Sequence, residues 1–183
     1  TTNSPTTLSS MRTRNRTNAR AASPTSGRGS PRIAVSCLAG ERSDGTILWL
    51  ADERAIATHI APRITRAAED AGRPAPRIVA GVPVCLCRDS EVDAAVARAN
   101  RLLSEAEVSP NYQRLLDHGD AREVGDILAA GSEAAIEKRL RAFADAGATD
   151  VSVRVVPLGA DRDERLASLR RTRDLLASLA STF

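Results

Sequence analysis

Leu38-Ala-Gly-Glu-Arg-Ser-Asp-Gly-Thr-Ile-Leu-Trp-Leu50 and Leu140-Arg-Ala-Phe-Ala-Asp-Ala-Gly-Ala-Thr-Asp-Val-Ser-Val-Arg-Val-Val156 read as the same event twice. In each, a helix stops at a Gly-containing turn and an aspartate leads into an apolar, β-branched run. Steps of this kind build parallel sheets, because parallel neighbours need a crossover and the crossover is usually a helix. The chain therefore reads as α/β.

Working outward, residues 33–42 form a short helix that ends before Asp44-Gly45, and Thr46 to Leu50 is a buried strand containing Trp49. Asp52 is placed to cap a helix over 53–71, with Ile56, Ile60 and Ile64 as its apolar stripe and Pro62 predicting a kink or break. Arg77 to Cys87 is apolar almost throughout, as a strand covered on both faces should be; Gly81 and Pro83 suggest a bulge or an edge. Asp89 or Ser90 caps a helix over 91–105 that turns Val92, Ala95, Ala99, Leu102 and Leu103 inward. Short helices are expected over 110–118 and 121–129. A helix over 132–146, capped by Ser132 and stopped at Gly147, leads to a strand from Asp150 to Val156 and a terminal helix over 161–180. That makes three strands, too few to close a barrel.

Composition bounds the function. With 183 residues and 42% hydrophobic content, the chain can bury one ordinary core of Ala, Leu, Val and Ile. Six arginines (Arg12, Arg14, Arg16, Arg20, Arg28, Arg32) lie in the first 32 residues without an acid. The remaining residues carry 20 bases against 23 acids, so the basic balance belongs to the leader. Residues 1–32 have almost no apolar side chains and are expected to be disordered, leaving 33–183 as the folded domain. Such a leader suits a transit peptide, a basic nucleic-acid arm, or a stretch that is not a selected sequence, for example from a shifted frame. Nucleic acid is not the expected partner, and no apolar run reaches the ~20 residues of a membrane span. A cytoplasmic protein is the expectation.

Candidate chemistry is sparse. Walker and dinucleotide glycine spacings are absent. Cys37, Cys85 and Cys87 make an odd set; the last two share a strand face and read as structural thiols. His59 and His118 each lack an i+4 partner, so no metal site is expected. Asp161, Asp163 and Glu164, and likewise Glu133 and Glu137, sit at helix starts, where carboxylates complement the dipole. At the carboxyl ends of the strands, where α/β folds place their sites, Trp49, Ala51, Cys85 and 156–159 are the candidates. No catalytic residue is assigned.

The run from LAGERSDGTILWLADERAIATHIAPRITRAAEDAGRPAPRIVAGVPVCLCRD, through SPNYQRLLD, to GSEAAIEKRLRAFADAGATDVSV resembles the carboxyl-terminal part of luciferase-like TIM-barrel oxidoreductases. Within them it is most similar to the branch that uses the deazaflavin coenzyme F-420. The resemblance covers Leu38 to Leu179 and less than half of a full family member. It implies an incomplete (β/α)8 barrel in which Thr46 to Leu50, Arg77 to Cys85 and Asp150 to Val156 are strands six, seven and eight. The family's Gly-Pro-Arg turn after strand five is matched only by Ser30-Pro31-Arg32, at a different distance from Leu38.

The activity implied is hydride transfer or monooxygenation of a small organic substrate, with coenzyme F-420 or, as the alternative, FMN. Leu48, Trp49 and Ala51 are offered as pocket-wall residues at the end of strand six. A fragment of such an enzyme is expected to be inactive alone and to bind no cofactor by itself. The alternative is a non-enzymatic α/β interaction module that completes its sheet with a partner, either a second copy or a complementing chain.

Overall fold

In the computed structural model the described residues are 34–103 and 117–180. The expected leader over 1–32 and most of the helix expected over 110–118 lie outside them. The order of elements is α1 (Ala34–Arg42), β1 (Gly45–Trp49), α2 (Glu53–Ala55), a π-helical turn (Ile56–Ile60), α3 (Ala61–Asp70) and β2 (Arg77–Leu86). A 3-10 turn (Asp89–Glu91), α4 (Val92–Leu103), α5 (Val124–Ile127), β3 (Ala129–Gly131), α6 (Glu133–Asp145), β4 (Asp150–Val155) and α7 (Arg162–Ala180) follow.

All pairings are parallel and β2 is central. Its amino-terminal half pairs with β1, from Gly45↔Arg77 to Trp49↔Gly81, and its last residues pair with β3, from Val84↔Ala129 to Leu86↔Gly131. β4 runs along β2 from Val79↔Asp150 to Val84↔Val155. Two features of the sheet differ from the sequence reading. β3 is a fourth strand; at three residues of Ala-Ala-Gly it carries no β-branched signal. Gly81 and Pro83 occupy a central strand whose register runs without a bulge.

The hydrogen bonds explain how proline is tolerated there. Val156 N–H donates to Val84 O and Thr149 N–H to Ile78 O, so even-numbered residues of β2 bond toward β4. Arg77 N–H donates to Asp44 O and Cys87 N–H to Gly131 O, so odd-numbered residues bond toward β1 and β3. The nitrogen of Pro83 thus faces the interval between Trp49↔Gly81 and Val84↔Ala129, where no strand needs its missing donor.

Alternation along the strands separates two faces. Leu48, Ile78, Ala80, Val82 and Val84 share the face covered by helices and are buried in one cluster with Ile64, Ile136, Leu140, Phe143 and Leu175. Ile47, Trp49, Val79, Gly81, Ser152 and Arg154 share the other. Here the expectation that β1 is buried fails, because Ile47 is 78% exposed.

Local signals explain the helices. Asp52 Oδ1 accepts the Ala55 amide at 2.8 Å, and Ser132 caps α6. Pro62 falls at the start of α3, directly after the π turn that absorbs its missing hydrogen bond. Leu102 is the exception on α4: it is 47% exposed while Leu103 is buried. On α7 the buried stripe includes Ser168 and Thr172 rather than leucines alone. Each has a partner: Leu158 N–H donates to Ser168 Oγ, Leu86 N–H donates to Thr172 Oγ1, and Thr172 donates to Ser168 O.

Candidate functional site

Two places have the position and side chains of a site. The first is the sheet face that carries Trp49, opposite the one packed against Ile64, Ile136 and Phe143. Trp49, Gly81 and Ser152 stand in one row across β1, β2 and β4. The Trp49 ring lies across Gly81, where a Cβ would stand 2.6 Å from Trp49 Cε3 and 2.8 Å from Leu48 O. Glycine is what lets the ring lie flat on the strand. The Arg154 guanidinium sits 6.0 Å from the centre of that ring, a cation over an aromatic face. Aromatic ring, cation and the Ser152 position thus share one face across three strands.

The second is a cleft of about 360 Å³ at the carboxyl ends of β2 and β4, lined by Cys87, Arg88, Glu91, Glu164, Ser168 and Arg171 among others. Much of its polar chemistry is committed to backbone. Glu91 Oε2 accepts the Arg88 amide, Glu164 Oε2 accepts the Ala160 amide, and Asp161 Oδ1 accepts the Glu164 amide. The amino terminus of α7 is therefore closed by its own carboxylates, which repel an incoming phosphate.

Of the residues singled out from sequence, Trp49 and Cys85 fall on this face by alternation, Cys85 fully buried. Leu48 points to the helix-covered face, and Ala51 is buried behind the turn at Leu50, whose φ is 64°. Asp52, 5% exposed, is held by three amides: Ala55 at 2.8 Å, Asp120 at 2.5 Å and Ala121 at 2.8 Å. It staples the 117–121 turn to the end of β1. Arg154, Gly81 and Ser152 were missed, although Asp150-Val-Ser-Val-Arg-Val155 places serine and arginine on one face of a strand.

The histidines meet in a way their sequence spacing does not show. His59 and His118 stack, with ring centroids 3.5 Å apart and planes 18° apart. Burial, then the neighbouring His118 and Arg63, lower the His59 pKa. Burial raises the Cys85 thiol to about 12, with Cys87 adding to the rise, and also raises Cys87. These are neutral thiols at neutral pH, unsuited to nucleophilic attack. Among the described residues no group of three or more His, Cys, Asp or Glu side chains is arranged to hold a metal.

No family model matches this chain, and no curated protein does. Solved structures do. The coenzyme F420 dependent tetrahydromethanopterin reductase from Methanopyrus kandleri is 17% identical, with a TM-score of 0.53, over 76% of this chain and 47% of that one. An F420-dependent secondary alcohol dehydrogenase in complex with an F420-acetone adduct is 15% identical, with a TM-score of 0.52, over 76% of this chain and 45% of that one. A monooxygenase from Streptomyces bottropensis is 18% identical, with a TM-score of 0.55, over 81% and 45%. At these identities the likeness is one of fold. The chain spans less than half the length of the structures it matches. Among the described residues no helix is long and apolar enough to cross a membrane.

Proposed function

We propose that this chain supplies strands six to eight of a luciferase-like (β/α)8 oxidoreductase of the F-420-using branch, as β1, β2 and β4, with ordinary flavin as the alternative cofactor. The substrate class is a small organic molecule that is reduced, oxidised or monooxygenated. The reading is supported by the parallel β1–β2–β4 sheet with its intervening helices, which aligns with two F420-dependent enzymes and a monooxygenase.

The observation that carries it is the row Trp49–Gly81–Ser152 with Arg154 over the indole, on the face that would line a closed barrel. A bound deazaflavin would supply the hydride chemistry. Trp49 would give the ring a flat apolar wall, Arg154 would favour an anionic substituent, and the bulk of Trp49 would keep water from that side. No described residue is assigned proton transfer, and the phosphate end of the cofactor is not assigned to the described residues.

The test is a titration of the chain with oxidised and reduced coenzyme F-420 and with FMN, read by the emission of Trp49, the sole tryptophan. Saturable quenching by F-420, weakened in Arg154→Ala, supports the reading. A folded sample that binds neither cofactor would sink the claim that this face forms a ring wall unaided.

A second reading has its own observation. Ile47, in the middle of β1, is 78% exposed, and β1 and β4 each have one unpaired edge among the described residues. A partner chain, either a second copy or a complementing one, would cover this face and extend the sheet. Sedimentation of the chain alone decides whether it self-associates; a stable, non-associating monomer argues against the second copy.

A further inference from the structure

The segment that follows β1 grips the 117–121 turn in three ways. The Asp52 carboxylate accepts the amides of Asp120 and Ala121. Arg54 pairs with Asp120 at 2.5 Å. The His59 ring, on the π-helical turn, stacks on His118. The first two are carboxylate contacts. The third joins two imidazoles, the side chain whose ordinary titration range lies nearest neutrality.

The stack depends on charge. Neutral imidazoles 3.5 Å apart attract through their faces, whereas two imidazolium ions at that spacing repel strongly. The surrounding charges deepen that dependence. Arg63, one helical turn beyond His59, sets its guanidinium against the ring, 2.6 Å from Nδ1 and 2.5 Å from Nε2, and so adds a positive charge beside it. Asp117 precedes His118 in the chain, and two residues beyond it Asp120 pairs with Arg54 while its amide donates to Asp52. The turn also matters to a cavity. Asp120 and Ala121 line a cleft of about 340 Å³ with Asp52, Glu53, Asp126 and Arg139, so movement of the turn changes that wall.

We propose that the His59–His118 stack is a proton-operated latch on the 117–121 turn, closed while both rings are neutral and opened by protonation, so that acid exposes the cleft beside Asp52. Burial first, then His118 and Arg63, lower the pKa of His59 and so favour the neutral ring on that side of the stack.

The test is amide hydrogen exchange of the full chain between about pH 5 and 8, corrected for intrinsic rates, on wild type, His118→Phe and His118→Ala. The His59 ring proton is followed by NMR in parallel. In wild type, protection of the Asp120 and Ala121 amides should fall severalfold toward acid, with a midpoint that tracks the His59 titration, while amides of β2 such as Val82 stay protected. His118→Phe, which keeps an aromatic ring without its charge, should flatten that dependence. His118→Ala should lower protection at every pH. Wild-type protection independent of pH, an equal loss across β2, or an unchanged pH dependence in His118→Phe would each overturn the latch.

Discussion

Replacing Asp52 with alanine should destabilise the fold more than any surface carboxylate substitution, because one buried side chain satisfies three backbone donors. Loss of the helix cap alone costs about 1 kcal/mol. The Asp120 and Ala121 amides then lose a charged acceptor, and an orphaned donor costs about 1–3 kcal/mol, with the more exposed Asp120 at the low end. The total comes to about 3–5 kcal/mol. At about 2–4 °C per kcal/mol for a domain of this size, that is a Tm lower by about 6–20 °C.

Urea unfolding followed by circular dichroism measures the loss, and an unchanged m-value shows that compactness is preserved. Gly119 supplies an internal check. A Cβ there would run into the Asp52 carboxylate, so Gly119→Ala should cost about 1–3 kcal/mol by overpacking. In the Asp52→Ala background the space is vacant, and the same change should cost much less. A loss below about 1 kcal/mol for Asp52→Ala, or strict additivity in the double mutant, would refute the assignment of Asp52 as the staple of this turn.

Gly81→Ala should push the Trp49 ring off β2, destabilising by about 1–3 kcal/mol and shifting the emission of the sole tryptophan; an unaltered spectrum would place the ring elsewhere. Cys85, with its thiol raised to about 12 and fully buried, should resist alkylation in the folded chain at pH 8 and react only after unfolding; mass mapping of the labelled peptide decides. Thr172→Val keeps the shape but leaves the Leu86 amide without its acceptor, and should cost about 1–2 kcal/mol in thermal unfolding, whereas Thr172→Ser should retain most of that bond. For His59 the folded pKa lies below 6.5, so the unfolded chain binds more protons as pH falls through 6.5. Its contribution to stability is present above 6.5 and is lost toward the folded pKa. The urea midpoint should therefore drop on the acid side in wild type, and drop less in His59→Gln.

The sequence by itself determined what neighbours in the chain decide. Asp52 and Ser132 announce helix starts because a short side-chain oxygen reaches an amide three residues on, and both do so in the structure. Pro62 announces a disturbance because it lacks a donor, and a π turn stands before it. The two helix-to-strand junctions are local in the same sense, and they made the parallel sheet legible.

What depends on strand order was not legible. Pro83 reads as an edge residue, yet it sits in the central strand because β1 ends and β3 begins on either side of it. Ile47 reads as core because it is apolar in an apolar run, but the fold leaves it 78% exposed. Asp52 could be read as a cap and not as a staple, since Asp120 and Ala121 are nearly seventy residues away. His59 and His118 are likewise far apart in sequence, and only the fold sets one ring on the other. Period and capping act over a few residues through covalent geometry, whereas the Trp49–Arg154 pair and the histidine stack are made by contacts whose partners the chain places together only when it folds.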